Sequence, residues 1–198
     1  YTWGTNTHPD SVHDLHVVPF GHPDVDPDRI GRDIDAARQG GATHVVLLVH
    51  WGYEYEYYPD PHFLKLGRRL VELGADLVVG SGPHAVEPAE ICEVNRPIAV
   101  PSIGRCSVRT ADGRPRTAAV LYSLGDFGTL LTTLPLQVGL VVTASFDPDK
   151  GVSGLRWDAV ATVEGRTRSN SFSSAATNSA ASTEARWKGA GASRVHGG

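Results

Sequence analysis

The 198-residue chain contains no methionine, not even at its first position, and only two cysteines. A chain that opens on Tyr1 reads as starting inside a longer protein. It is therefore expected to be N-terminally incomplete, with any targeting segment upstream out of view. The first ten residues, YTWGTNTHPD, lack the basic start and apolar core of a signal peptide. No apolar run approaches the roughly 18 residues that a membrane span requires. Basic residues are neither in excess nor clustered. Lys and Arg number 18 against 22 Asp and Glu, a net charge of -4, and aromatics do not interleave with them. That excludes the electrostatic footprint of a nucleic-acid binder. Cys92 and Cys106 stand 14 apart without CxxC spacing and make a poor metal site. Two readings stay open for them. One is a disulfide closing a loop, worth about 3 kcal/mol, which needs an oxidising compartment; the other is a pair of half-buried thiols.

What is present suits one globular domain with a polar tail. Hydrophobic residues make up 40% and charged residues 20%. HVVPF at 16–20 reads as a short strand. The stretch 26-DPDRIGRDIDAARQGG-41 carries helix signals: Asp26 to cap, Pro27 at the first helical position, Ile30, Ile34 and Ala37 on one face, and Gly40 with Gly41 as the stop. A β-branched run, 43-THVVLLV-49, follows and predicts a strand buried on both faces. The pattern repeats with Asp60-Pro61 opening a helix whose Phe63, Leu66, Leu70 and Leu73 share a face, Gly74 ending it, and the strand DLVVG coming next. Alternating strands and helices predict βαβ units and a parallel sheet. From about residue 89 the segments AEICEV, AAVLYSL, GLVVTASF and GLRWDAVATV, with the turns TADGRPRT and DPDKG, read as antiparallel strands joined by hairpins. Residues 165–198, rich in Ser, Ala, Gly and Thr, read as a disordered tail.

In open α/β sheets, ligands collect at the carboxyl ends of the parallel strands. VVLLV ends in His50-Trp51-Gly52, and DLVVG ends in Ser81-Gly82-Pro83-His84. Two histidines placed just past buried strands can converge on one metal or substrate, and neutral imidazole is a common transition-metal ligand. A hydrogen-bonded loop histidine is the alternative at each position.

These residues also resemble a known family. His50-Trp-Gly with Glu54-Tyr55 and Pro59, the run Leu73-Gly-Ala-Asp-Leu-Val-Val-Gly80, Pro83-His84 with Glu87-Pro88, and Tyr122-Ser-Leu-Gly125 before Phe127 resemble the CapA family of poly-γ-glutamate capsule biosynthesis proteins. Asp33-Ile34 with Ala36-Ala37, and the opening Tyr-Thr-Trp-Gly-Thr-Asn, add to the match. The resemblance covers residues 1–146 and implies a layered α/β sheet like that of calcineurin-type metallophosphoesterases. Residues 1–164 would then be the C-terminal portion of such a domain. It further implies that His50 and His84 are metal ligands and, with Glu54, the catalytic set. Trp51, Tyr55 and Ser81 would contact substrate, and the cofactor would be a divalent ion of Mn, Fe or Zn. The implied partners are an anionic polymer or phosphoester substrate and membrane-bound synthesis or export proteins. The implied location is the cell surface or membrane.

Three departures from the family pattern stand out. The early Gly-Asp, Asn and Asn-Asn-His motifs are missing, so the fragment alone is expected to be inactive. Gly82 stands where a histidine is usual. Gly125-Asp126-Phe127 replaces Gly-Asn-Phe, and Asp126 could lend an oxygen ligand or cap the turn. Other features read as structural. His8, His13, His16 and His22 have irregular spacing, Asp24, Asp26 and Asp28 sit at a helix start, and Gly80-Ser81-Gly82 is not followed by the Lys-Thr/Ser of a phosphate loop.

Overall fold

The computed structural model describes residues 27–98 and 104–162, and the backbone of 163 and 166–170. The expected strand at 16–20, the opening Tyr-to-Asn motif, the four N-terminal histidines, Asp24 and Asp26 lie outside the described residues. Helix α1 spans Asp28–Gln39, with Pro27 at its N-cap rather than at the first helical position. Its Ile30 and Ile34 are buried, and Gly40 caps its end. Strand β1, Val46–His50, leads to α2, Pro61–Glu72. There Asp60 accepts a hydrogen bond from the His62 amide and Pro61 opens the helix, as the sequence predicts. Strand β2, Leu77–Ser81, then runs parallel to β1 with His50 opposite Ser81.

Five further strands complete the main body: β3 (Ala89–Val94), β4 (Arg105–Val108), β5 (Arg116–Leu121) and the long pair β6 (Val138–Asp147) and β7 (Gly151–Val163). The sheet order is β1-β2-β5-β3-β4, and β5 also touches β7 at Thr117 opposite Gly151. The expected antiparallel pairing holds for β3 with β5 and for the β6–β7 hairpin. Strand β4 is not among the segments that read as strands in the sequence, and it lies parallel to β3 on the far side from β5. TADGRPRT leads from β4 to β5 without closing a hairpin, since these two strands are not neighbours in the sheet. Backbone pairing also continues past residue 164, because Arg166–Asn170 forms a strand, β8, against β7. The tail thus contributes an ordered strand to the edge of the β6–β7 pair, while residues 171–198 lie outside the described residues.

Two apolar layers sandwich the sheet. On one face α1 and α2 pack Ile34, Phe63, Leu70 and Val71 against Val49, Val78 and Val120. On the other, Val152 and Leu155 of β7 cover Leu77, Ala119 and Leu121. Strand β5 lies between both layers and every one of its residues is buried. Strand β1 does not fit the two-faced burial its sequence predicts, since Val46 and Leu48 are 45% and 66% exposed. It is the terminal strand of the described sheet, and the second layer centres on β2 and β5, so only Leu47 and Val49 are covered. Among the described residues, no helix is long and apolar enough to cross a membrane.

Cys92 and Cys106 face each other across the β3–β4 register and form a disulfide, with Cα atoms 4.4 Å apart and both residues buried. It ties the outermost strand of this side to its neighbour. Thiol titration of the unreduced, denatured protein is expected to find no free cysteine. The C92S/C106S variant is expected to lose about 3 kcal/mol in urea unfolding. Two titrating thiols in the unreduced chain would contradict the bridge.

Candidate functional site

The backbone that follows β1 and β2 is shaped by close approach. The Trp51 amide donates to the Ser81 carbonyl at 2.8 Å, and its indole N–H donates to the Tyr122 carbonyl at 2.8 Å. The indole stacks on Tyr122 with ring centres 5.9 Å apart and leans on Phe63 at 5.8 Å. Trp51 is only 1% exposed, which corrects the expectation that it contacts substrate: its whole surface goes to the core. A side chain at Gly80 would collide with the Tyr122 carbonyl and the Trp51 indole. Gly82 has φ +130°, and a Cβ there would collide with the Trp51 carbonyl. The position where the family pattern carries a histidine therefore has no room for any side chain in this backbone.

These constraints deliver a polar corner. The Tyr55 amide donates to the Pro83 carbonyl at 2.8 Å, joining the loop after β1 to the loop after β2. Tyr55 and His84 both adopt left-handed backbone, at φ 70° and 62°. Such conformations are uncommon for non-glycine residues and concentrate at functional positions. Their rings stack with centres 5.9 Å apart. The Asp126 carboxylate lies 3.0 and 3.1 Å from His84 Nδ1, and Glu54 Oε1 lies 4.0 Å from His84 Nε2. The Gly125 turn aims Asp126, held by φ 67° and by pairing of Gly125 with Gly139. Asp126 is thus the partner of His84, neither of the two roles its sequence suggests. Forty-two residues separate the pair, and only the fold brings them together. Because a carboxylate can only accept, neutral His84 carries its proton on Nδ1 and keeps the Nε2 lone pair toward Glu54.

His50 stands apart from this corner. It is exposed, its Nδ1 lies 3.3 Å from Ser81 Oγ, and that hydroxyl also reaches the Val49 carbonyl at 3.4 Å. The structure thus groups His84, Glu54, Tyr55 and Asp126, and separately His50 with Ser81. Among the described residues no three His, Cys, Asp or Glu side chains converge as a metal-ligand set. With Nδ1 donating to Asp126, His84 keeps Nε2 as the nitrogen a metal could take, the usual arrangement of a ligating histidine, but the described residues do not complete a ligand set around it. Glu87, on the turn after His84, is buried; that burial, helped by the charge of Glu56, pushes its carboxyl up to about 7. Sequence alone marked it only as part of the motif.

The pairing makes a spectroscopic prediction. Nitrogen-15 spectra of the histidine rings are expected to show the Nδ1–H tautomer for His84. In Asp126→Asn, whose amide can donate to Nδ1, the ring is expected to switch to Nε2–H. An Nε2–H ring in the unaltered protein would contradict the assignment.

Comparison with known proteins matches the chain's sequence to a bacterial family. The family model described as "Bacterial capsule synthesis protein PGA_cap" matches residues 1–129. The capsule biosynthesis protein CapA of Bacillus anthracis is 31% identical over 123 residues, which is 60% of this chain and 29% of that protein. The PGA biosynthesis protein CapA of Bacillus subtilis (strain 168) is 35% identical over 89 residues, 44% of this chain and 23% of that protein. The chain therefore aligns with less than a third of either relative's length. Over the matched residues it carries the His-Trp-Gly, Pro-His and Gly-Asp-Phe segments whose geometry is described above, and it belongs to the bacterial capsule synthesis protein family PGA_cap.

Proposed function

We propose that this chain serves in the synthesis or export of poly-γ-glutamate or a related anionic surface polymer. In this reading the His84–Asp126–Glu54 corner is the polar centre that meets the chain. The observation that carries it is the His84–Asp126 pair at 3.0 Å, set where the loops after β1 and β2 meet. Membership of a capsule synthesis family supports the polymer assignment. So does the placement of the corner at the carboxyl ends of parallel strands.

The chemistry follows from the donors. With Asp126 accepting from Nδ1–H, the imidazole is held in one orientation and its Nε2 can take a proton from a group approaching from the Glu54 side. Once protonated, the same nitrogen can donate to a carboxylate. Tyr55, stacked on the ring, restricts the direction of approach. The described residues leave a divalent ion's ligand set incomplete, so these roles rest on the side chains alone. A Mn, Fe or Zn ion would need ligands beyond His84 and its neighbours. The exposed His50–Ser81 pair is the candidate second contact. Membrane-bound synthesis or export partners, and a place at the cell surface or membrane, belong to the same proposal.

The test is complementation of a capsule-forming strain lacking the gene for this protein. His84→Ala is expected to lower polymer yield by at least about tenfold, with protein level unchanged. Undiminished yield would overturn the role given to His84. Mn²⁺-dependent hydrolysis of p-nitrophenyl phosphate by the protein, abolished by the same change, would favour a phosphoesterase over a polymer protein.

A further inference from the structure

We infer that the cleft between the Tyr58–Pro59 corner and the adjoining ends of β3 and β4 binds carboxylates of a flexible anionic chain, an inference that rests on the polymer reading above. The cleft encloses about 670 Å³. Its walls continue both loops of the candidate site: Tyr58 and Pro59 end the loop that carries Glu54, and Pro88 ends the turn that carries His84. Arg68 and Arg105 complete it.

The two arginines are built differently but present the same chemistry. Arg68 donates Nε and Nη2 to the two carboxylate oxygens of Glu90, at 3.0 and 2.5 Å. Glu90 is 7% exposed and also accepts from the Tyr122 hydroxyl at 2.8 Å, so a buried carboxylate fixes the fork of Arg68 from below. Arg105 donates Nη2 to Glu93 at 2.8 Å. Their side chains remain 43% and 45% exposed. A guanidinium has five N–H donors, so each keeps donors for an incoming group after these bonds. A planar, pre-oriented guanidinium suits a carboxylate.

Charge and shape point the same way. Of the charged residues lining the cleft, Arg68 and Arg105 are cations and Glu90 is a carboxylate, two positive charges against one, in a chain whose net charge is -4. Glu87, beside Pro88, opposes an anion less than an ordinary glutamate, because burial pushes its carboxyl up to about 7. Tyr58, Pro59 and Pro88 offer apolar walls that suit methylene groups between charges. An inorganic phosphate would gain nothing from those walls.

The test uses calorimetric titration of the whole, disulfide-intact chain with a γ-linked glutamate oligomer at low salt. Arg105→Glu and Tyr58→Ala are each expected to weaken binding by about tenfold, the loss of a charge-assisted hydrogen bond or its apolar support. Circular dichroism verifies that both variants fold. Arg68→Gln is a poorer choice because it strands Glu90 in the interior. Equal affinity in Arg105→Glu would overturn the cleft and leave the polymer reading standing. No binding by the unaltered chain would also overturn the cleft, with polymer yield in cells judging that reading separately. Displacement of the oligomer by an equal charge of inorganic phosphate would overturn the assignment to a carboxylate chain.

Discussion

Asp76 is the joint on which the described fold depends. It is 1% exposed and stands just before β2. Its carboxylate accepts from Arg116 Nε and from the Val45 amide, each at 2.9 Å, and from Arg38. Its own amide and carbonyl bond Val45 and Ala119, each at 3.0 Å. One residue thus ties α1, the entry to β1, the entry to β2 and the interior of β5. Arg38 extends the joint by donating to the carbonyls of Ala42, Thr43 and Gly74. A buried carboxylate is costly unless its partners are complete, and here two guanidiniums and an amide complete them. The strands leave this joint in fixed register, so their far ends place His50, Ser81 and the loops that meet at His84.

How much of this is legible in the sequence depends on how local the physics is. The opening of α2 is read from Asp60-Pro61 because capping is decided within three residues. The parallel β1–β2 pair follows from two apolar runs separated by an amphipathic helix. The exposed face of β1 could not be read that way. THVVLLV has the texture of a doubly buried strand, but whether Val46 and Leu48 are covered depends on how far the β6–β7 layer extends. The parallel placement of β4 was equally hidden, because strand order is a long-range choice that short apolar segments do not encode. Cys92 and Cys106 left two readings open until the β3–β4 register put them opposite each other.

The candidate site divides in the same way. His84 was marked by its place after a strand, and Gly82 was visible as a departure, but only the backbone explains it: a side chain there would strike the Trp51 carbonyl. The family resemblance implies that Trp51 contacts substrate, yet its indole N–H is consumed by the Tyr122 carbonyl. Asp126 reads in the sequence as either an oxygen ligand or a turn cap, and its service to His84 depends on contact across the sheet end. The described residues carry one well-oriented imidazole rather than a closed metal cluster, and the chain aligns to less than a third of either relative's length.

Equilibrium urea unfolding of Asp76→Ala, compared with the unaltered protein under identical oxidising conditions, tests the joint most directly. The predicted loss is about 3–5 kcal/mol, the cost of removing the buried partner of Arg116 Nε and leaving that guanidinium only the exposed Asp112, 3.5 Å from Nη1. A loss within about 1 kcal/mol, the range of an exposed ion pair, would contradict the view that this carboxylate holds the strands and the site they carry.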